Sequence, residues 1–129
     1  MNYTFPVFVL SKDDKSVRML TDEQDVGYYE RPDIKDNLYI GWDLNGNMFK
    51  INWDTKKGEP KIEVIDGCPQ PDQLRDVLYQ YAKTYMPDID LTSLGRHKNI
   101  VALYKNIEQR IDSGKFRNKI KKFFKKIVK

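Results

Sequence analysis

Asp43-Leu44-Asn45-Gly46-Asn47, followed by Asp54, places acidic or amide residues at positions 1, 3, 5 and 12 of one span. That spacing resembles the loop with which a helix–loop–helix unit holds calcium. Two features exclude the chemistry. A calcium loop needs glycine at position 6 for its sharp turn, but Met48 stands there and the glycine is displaced to position 4. Its flanks must also be helices, whereas both flanks here read as strands. Asn45-Gly46 between two aromatic-rich runs instead predicts a type I′ hairpin turn, because both residues tolerate positive φ.

Cys68 is the only cysteine and His97 the only histidine. A disulfide within the chain and a zinc site built on thiols or imidazoles are thereby excluded. Cys68 lies in Asp66-Gly67-Cys68-Pro69, a strand-to-helix turn in which cysteine serves as a small filler, and His97 reads as a solvated polar residue. Carboxylates cluster at Asp22, Glu23 and Asp25 and again at Glu30, Asp33 and Asp36. They read as solvated faces rather than an acid and base fixed across a cleft. Phosphate-binding glycine loops and nucleophile elbows are absent from the sequence. The expectation is a protein that is not an enzyme and has no metal or cofactor.

What the residues do offer is a binding surface. Tyrosine and tryptophan bury much area at small entropic cost, which suits them to anchor interfaces. Tyr28, Tyr29 and Trp42, with the carboxylates of Glu30, Asp33 and Asp36, form the expected contact set for a protein partner. Trp53 reads as core.

The second candidate surface is the C-terminal KFRNKIKKFFKKIVK, residues 115 to 129. Lys115, Arg117, Lys119, Lys121, Lys122, Lys125, Lys126 and Lys129 are eight of the chain's 23 basic residues, leaving 15 against all 19 acidic ones. The tail is therefore about +8 and the body about −4 by formal charge. On a helical wheel Phe116, Ile120, Phe123, Phe124, Ile127 and Val128 fill an arc of about 140°, and every basic residue but Arg117 lies outside it. An arc of that width suits a helix packed on a core. The basic side of such a helix also suits an anionic membrane surface or nucleic-acid phosphates, and the apolar side a partner's groove. With seven lysines to one arginine, any nucleic-acid contact would be sequence-independent.

The elements that position these residues follow from the change of period along the chain. Tyr3 to Leu10 and Ser16 to Leu20 read as strands about a Lys12–Lys15 turn, and Thr21-Asp22-Glu23-Gln24 as a capping box opening a short helix that Pro32 stops by about Glu30. Asn37 to Trp42, Asn47 to Asp54 and Lys61 to Ile65 complete the strands. From Pro69 the period is helical: Leu74, Val77, Leu78, Tyr81 and Tyr85 mark one helix ended by Pro87. Ile100, Leu103, Tyr104, Ile107 and Ile111 mark a second, which Ser113-Gly114 is expected to break before a third.

The predicted fold is α+β: an antiparallel sheet of four to five strands in residues 1–66, with one short helix, covered by three helices in 69–129. A length of 129 residues suits one domain, 1–129, and an aromatic content of 12% requires a folded core. The N-terminus has an apolar run of only six residues and no basic flank, so no signal peptide is expected, and with one cysteine the default location is the cytoplasm. In layout the chain resembles small bacterial proteins, among them immunity proteins that neutralise a toxin by binding it. That resemblance implies a protein partner.

Overall fold

The computed structural model describes residues 3–65, 71–94 and 99–127, with backbone alone at 71 and 115–127. The chain forms two compact units, Met1–Val77 and Leu78–Lys129.

The first unit is a five-stranded antiparallel sheet in the order β2-β1-β3-β4-β5. Its strands are β1 (Val7–Ser11), β2 (Val17–Leu20), β3 (Tyr39–Asp43), β4 (Met48–Asp54) and β5 (Glu59–Val64). Their register fixes which side chains share a face. Val9 lies opposite Arg18 and Gly41, Gly41 opposite Phe49, and Ile51 opposite Ile62. Because side chains alternate along a strand, Val7, Val9, Leu20, Phe49 and Ile51 fall on one side. They form a core cluster with Val26, Tyr29 and Ile34 from the segments between β2 and β3. Phe8, Val17 and Trp42, on the other face, are buried as well, so the central strands are apolar on both sides.

Gly41 is required by this packing. A Cβ there would stand 2.2 Å from Phe49 Cζ and 2.8 Å from the Phe8 carbonyl oxygen. The Phe49 ring occupies the space that a side chain at position 41 would fill.

Two short helices cross the core face: α1 (Glu23–Val26) and α2 (Arg31–Lys35). The helix expected to reach Glu30 thus ends at Val26, and Pro32, expected to act as a stop, instead lies in the first turn of a further helix, α2, where its missing N–H costs nothing. The cap of α1 also differs from the expected box. Asp22, not Thr21, is the N-cap, accepting from the Asp25 N–H at 3.1 Å. Asp25, not Gln24, reaches back to Thr21, whose N–H and Oγ1 both donate to Asp25 Oδ2 at 2.8 Å. A carboxylate caps with either oxygen and complements the helix dipole, so Asp22 wins over its threonine neighbour.

The β3–β4 hairpin is closed by a buried carboxylate. Asp43 is fully buried and accepts from the N–H groups of Asn45 and Asn47 and from Asn47 Nδ2, each at 2.9 Å. Gly46 takes φ 84°, while Asn45 does not enter the positive-φ region. The expected type I′ turn is thereby corrected: Gly46 N–H donates to Asp43 O and Asp43 N–H to Asn47 O, the pattern of a longer loop with one left-handed glycine. Caging the loop amides on Asp43 stabilises this form over the two-residue turn. β5, at the sheet edge, carries Pro60, Lys61 and Glu63, residues that discourage pairing with a further strand.

The C-terminal half is helical. α3 (Pro71–Tyr85) buries Leu74, Leu78, Tyr81 and Ala82. A 3-10 turn, Leu91–Leu94, precedes α4 (Ile100–Ile127), which buries Leu103, Tyr104, Ile107 and Ile111. Tyr81 donates to Glu108 at 2.5 Å within the second unit. The break expected at Ser113-Gly114 does not occur, so among the described residues two α-helices stand where three were expected. Glycine inside a helix costs only about 1 kcal/mol relative to alanine, and it terminates a helix when it adopts positive φ, which Gly114 does not.

Candidate functional site

The β1–β2 connection builds a polar site in the first unit. Lys15 takes φ 62°, and the Ser11 and Ser16 backbones close the loop, Ser11 N–H donating to Ser16 O at 2.9 Å. The side chains then lock it. Ser11 Oγ donates to Asp13 Oδ1 at 2.5 Å, the Asp14 N–H to the same oxygen at 2.7 Å, and Ser16 Oγ to Asp14 Oδ1 at 2.7 Å. Such Asp and Ser bonds to nearby backbone are why these residues favour turns. The Ser11 hydroxyl, with the Asp14 N–H, lowers the Asp13 carboxyl from its ordinary value, because both donate to its charged form.

Beside this loop lies a pocket of about 290 Å³ lined by Val9, Ser11, Asp13, Asp14, Ser16, Arg18, Tyr28, Tyr29 and Tyr39. The strand register sets Arg18 beside Val9, and its guanidinium carbon sits 3.7 Å from the centre of the Tyr28 ring. Tyr28 meets Tyr29 edge-on at 5.5 Å between centroids, and Tyr29 meets Tyr39 at 4.4 Å. Tyr39 donates to Asp33 Oδ2 at 3.3 Å. Burial first, and Asp33 second, push the Tyr39 phenol up to about 12, so it is a neutral donor at physiological pH. Tyr29 and Tyr39 thus form the floor, with Tyr28, Arg18 and the carboxylates of Asp13 and Asp14 exposed around it.

The residues expected from sequence to bind a partner divide. Tyr28 is 63% exposed on the pocket rim. Glu30 and Asp36 are exposed at the two ends of α2, and Asp33 is half-buried beneath Tyr39. Tyr29 and Trp42 are corrected. Tyr29 is a core residue at 5% exposure, and Trp42, at 2%, donates its indole N–H to Gln73 Oε1 at 3.1 Å. Neither offers surface to a partner. Trp53 packs against the core cluster, with the Arg31 guanidinium 5.8 Å from its ring.

Sequence reading missed Arg18, Asp13, Asp14, Ser11 and Ser16. The available signal was the alternation of β2, which puts Arg18 on the core side beside Leu20, a placement that asks for an aromatic partner. Of the basic residues, Lys115, Arg117, Lys119, Lys121, Lys122, Lys125 and Lys126 belong to α4, their side chains lying outside the described residues, as does Lys129 altogether. Cys68 and His97 also lie outside the described residues.

Among the described residues no group of three or more His, Cys, Asp or Glu side chains could hold a metal ion, and no helix is long and apolar enough to cross a membrane. Comparison with protein-family models, with curated proteins and with solved structures gives no match.

Proposed function

We propose that this protein is a non-enzymatic binding module for another protein, engaging a basic segment of its partner at the tyrosine pocket. The observation that supports this reading is Tyr28. Its ring is braced by Arg18 on one side and Tyr29 on another, yet 63% of the residue faces solvent. An aromatic ring held rigid before binding loses little entropy when covered, which is what an interface anchor requires. The charge around it sets the partner's sign. Residues 1–77 carry 15 acidic and 10 basic residues, and the exposed Asp13 and Asp14 line the pocket itself. On this reading the chain acts as an immunity protein does, by occupying its target, and a bacterial source and a cytoplasmic location belong to the same proposal.

The test is a titration of isotope-labelled protein with short peptides that pair an aromatic residue with either lysine or glutamate. Lysine peptides are expected to shift the amides of residues 11–18 and 28–39, and Tyr28→Ala to weaken binding several-fold without lowering the unfolding temperature. Equal response to both peptides, or shifts confined elsewhere, overturns the reading. So does turnover in a hydrolase screen that one carboxylate substitution abolishes.

A second reading is favoured by the continuity of α4 to Ile127, which presents the basic segment as an extension of an ordered helix. In it the same protein is a peripheral module held to anionic membrane or nucleic acid.

A further inference from the structure

The second unit contains a groove of about 670 Å³, bounded by Met86 and Ile89 on one side and by Asn106, Arg110, Ser113 and Gly114 of α4 on the other. The α4 residues are spaced by four, three and one, so they form one stripe, next to the stripe that buries Leu103, Ile107 and Ile111. From Asn106 to Gly114 the helix rises about 12 Å. An extended chain spans that distance in about three or four residues.

Arg110 is fixed in this groove before anything binds. Its Nε donates to Asn106 Oδ1 at 3.1 Å, Nη1 to Ser93 Oγ at 2.8 Å and Nη2 to the Ser93 carbonyl at 2.9 Å. All three acceptors are neutral oxygens. The bonds therefore position the guanidinium without neutralising it, and about two of its five N–H donors are left over. A long side chain usually loses rotamer freedom on binding, and here that loss has already been incurred in folding.

We infer that this groove docks an extended segment of a partner protein that bears a single carboxylate, held on Arg110, with a neighbouring apolar side chain against Met86 and Ile89. The carboxylate gains charge-assisted hydrogen bonds from a preset donor. Methionine, unbranched and polarisable, adapts to the apolar neighbour. Asp88 also lines the groove and repels a second carboxylate, so the segment carries a single acid rather than an acidic run. At Gly114 a Cβ would meet nothing within 4 Å, which leaves that end open for the chain to pass. This site is separate from the tyrosine pocket and stands or falls independently of it.

The experiment is a titration of the labelled full-length chain with the peptide acetyl-Ala-Leu-Glu-Ala-amide, with the same peptide carrying glutamine for glutamate, and with sodium acetate. The glutamate peptide is expected to shift the amides of Ser93, Asn106, Arg110, Ser113 and Gly114 to saturation, and the glutamine peptide to bind several-fold more weakly. Arg110→Gln should abolish the response and Arg110→Lys weaken it, because lysine cannot reproduce the fork to Ser93. Ser113→Glu places a competing carboxylate in the groove from an exposed position and should abolish binding with the fold intact, which decides the matter if Arg110→Gln fails to fold. Equal binding of the two peptides, acetate reproducing the same shifts at the same concentration, or undiminished binding by Ser113→Glu overturns the proposal.

Discussion

Gly41 shows at the level of one residue how the sheet core is specified. The nearest atoms to an added Cβ are the Phe49 ring and the Phe8 carbonyl oxygen, the latter part of the backbone and unable to swing away. Gly41→Ala is therefore expected to destabilise the protein by about 1–3 kcal/mol, the usual range for overpacking a filled core. A denaturant midpoint lowered at constant slope would confirm it, and an unchanged midpoint would show that β3 shifts to make room. Tyr39 gives a second prediction at this scale. Its phenol is pushed from the ordinary 10.0 up to about 12, as is that of Tyr3, which donates to Glu23 at 2.7 Å. The folded state thus prefers both phenols neutral. For a group whose pKa is higher folded than unfolded, the contribution is complete below the unfolded value and disappears as pH rises through the folded one. Stability is expected to hold up to about pH 10 and to fall between there and about 12. An absorbance titration of phenolate checks this, with Asp33→Asn lowering the late midpoint of Tyr39 while leaving that of Tyr3 in place.

Among the elements, α4 carries the clearest prediction. Gly114 lies within the helix without positive φ, and a Cβ there would touch nothing within 4 Å. Gly114→Ala is expected to add about 1 kcal/mol of stability and to raise helical ellipticity, since alanine restricts the unfolded chain and favours the helix. Loss of stability instead would mean that the glycine serves a conformation other than this helix. The same position explains where sequence reading succeeds and fails. The five strands were legible because alternation and β-branched or aromatic runs report burial directly, as Val7 to Val9 and Phe49 to Ile51 do. Helix faces were legible for the same reason, through Leu74 and Leu78 or Leu103 and Ile107. Junctions were not. Whether Thr21 or Asp22 caps α1, whether Asn45 enters positive φ, and whether Gly114 stops a helix each turn on about 1 kcal/mol, which neighbouring contacts easily outweigh. The tyrosine pocket was half legible. Tyr28, and Asp33 as the partner of Tyr39, could be picked by type, but Arg18 and Asp13 join the tyrosines only once register sets β2 beside β1, while Trp42 is buried on β3 opposite Phe8 and Tyr29 in the core cluster.

For the whole molecule the governing feature is the separation of charge along the chain. Deleting residues 115–129 removes eight basic residues and no acidic ones, which takes the formal net charge from +4 to −4. If the basic segment binds anionic surfaces, each lysine or arginine near acidic lipid contributes about 1 kcal/mol, and the attraction weakens beyond a Debye length as salt is added. The full-length chain is then expected to sediment with vesicles of anionic phospholipid at low salt and to leave them at high salt, and the truncated chain to remain in solution at both. Binding to DNA should follow the same salt dependence without regard to sequence, since lysine meets phosphates as a point charge. Equal sedimentation of the two chains removes the segment from that role. Circular dichroism of the truncated chain supplies the independent measure. Loss of only the helical signal of the deleted residues leaves a self-sufficient body with an appended basic helix, whereas loss of cooperative unfolding makes the apolar arc of Phe116, Ile120, Phe123 and Phe124 a requirement of the fold.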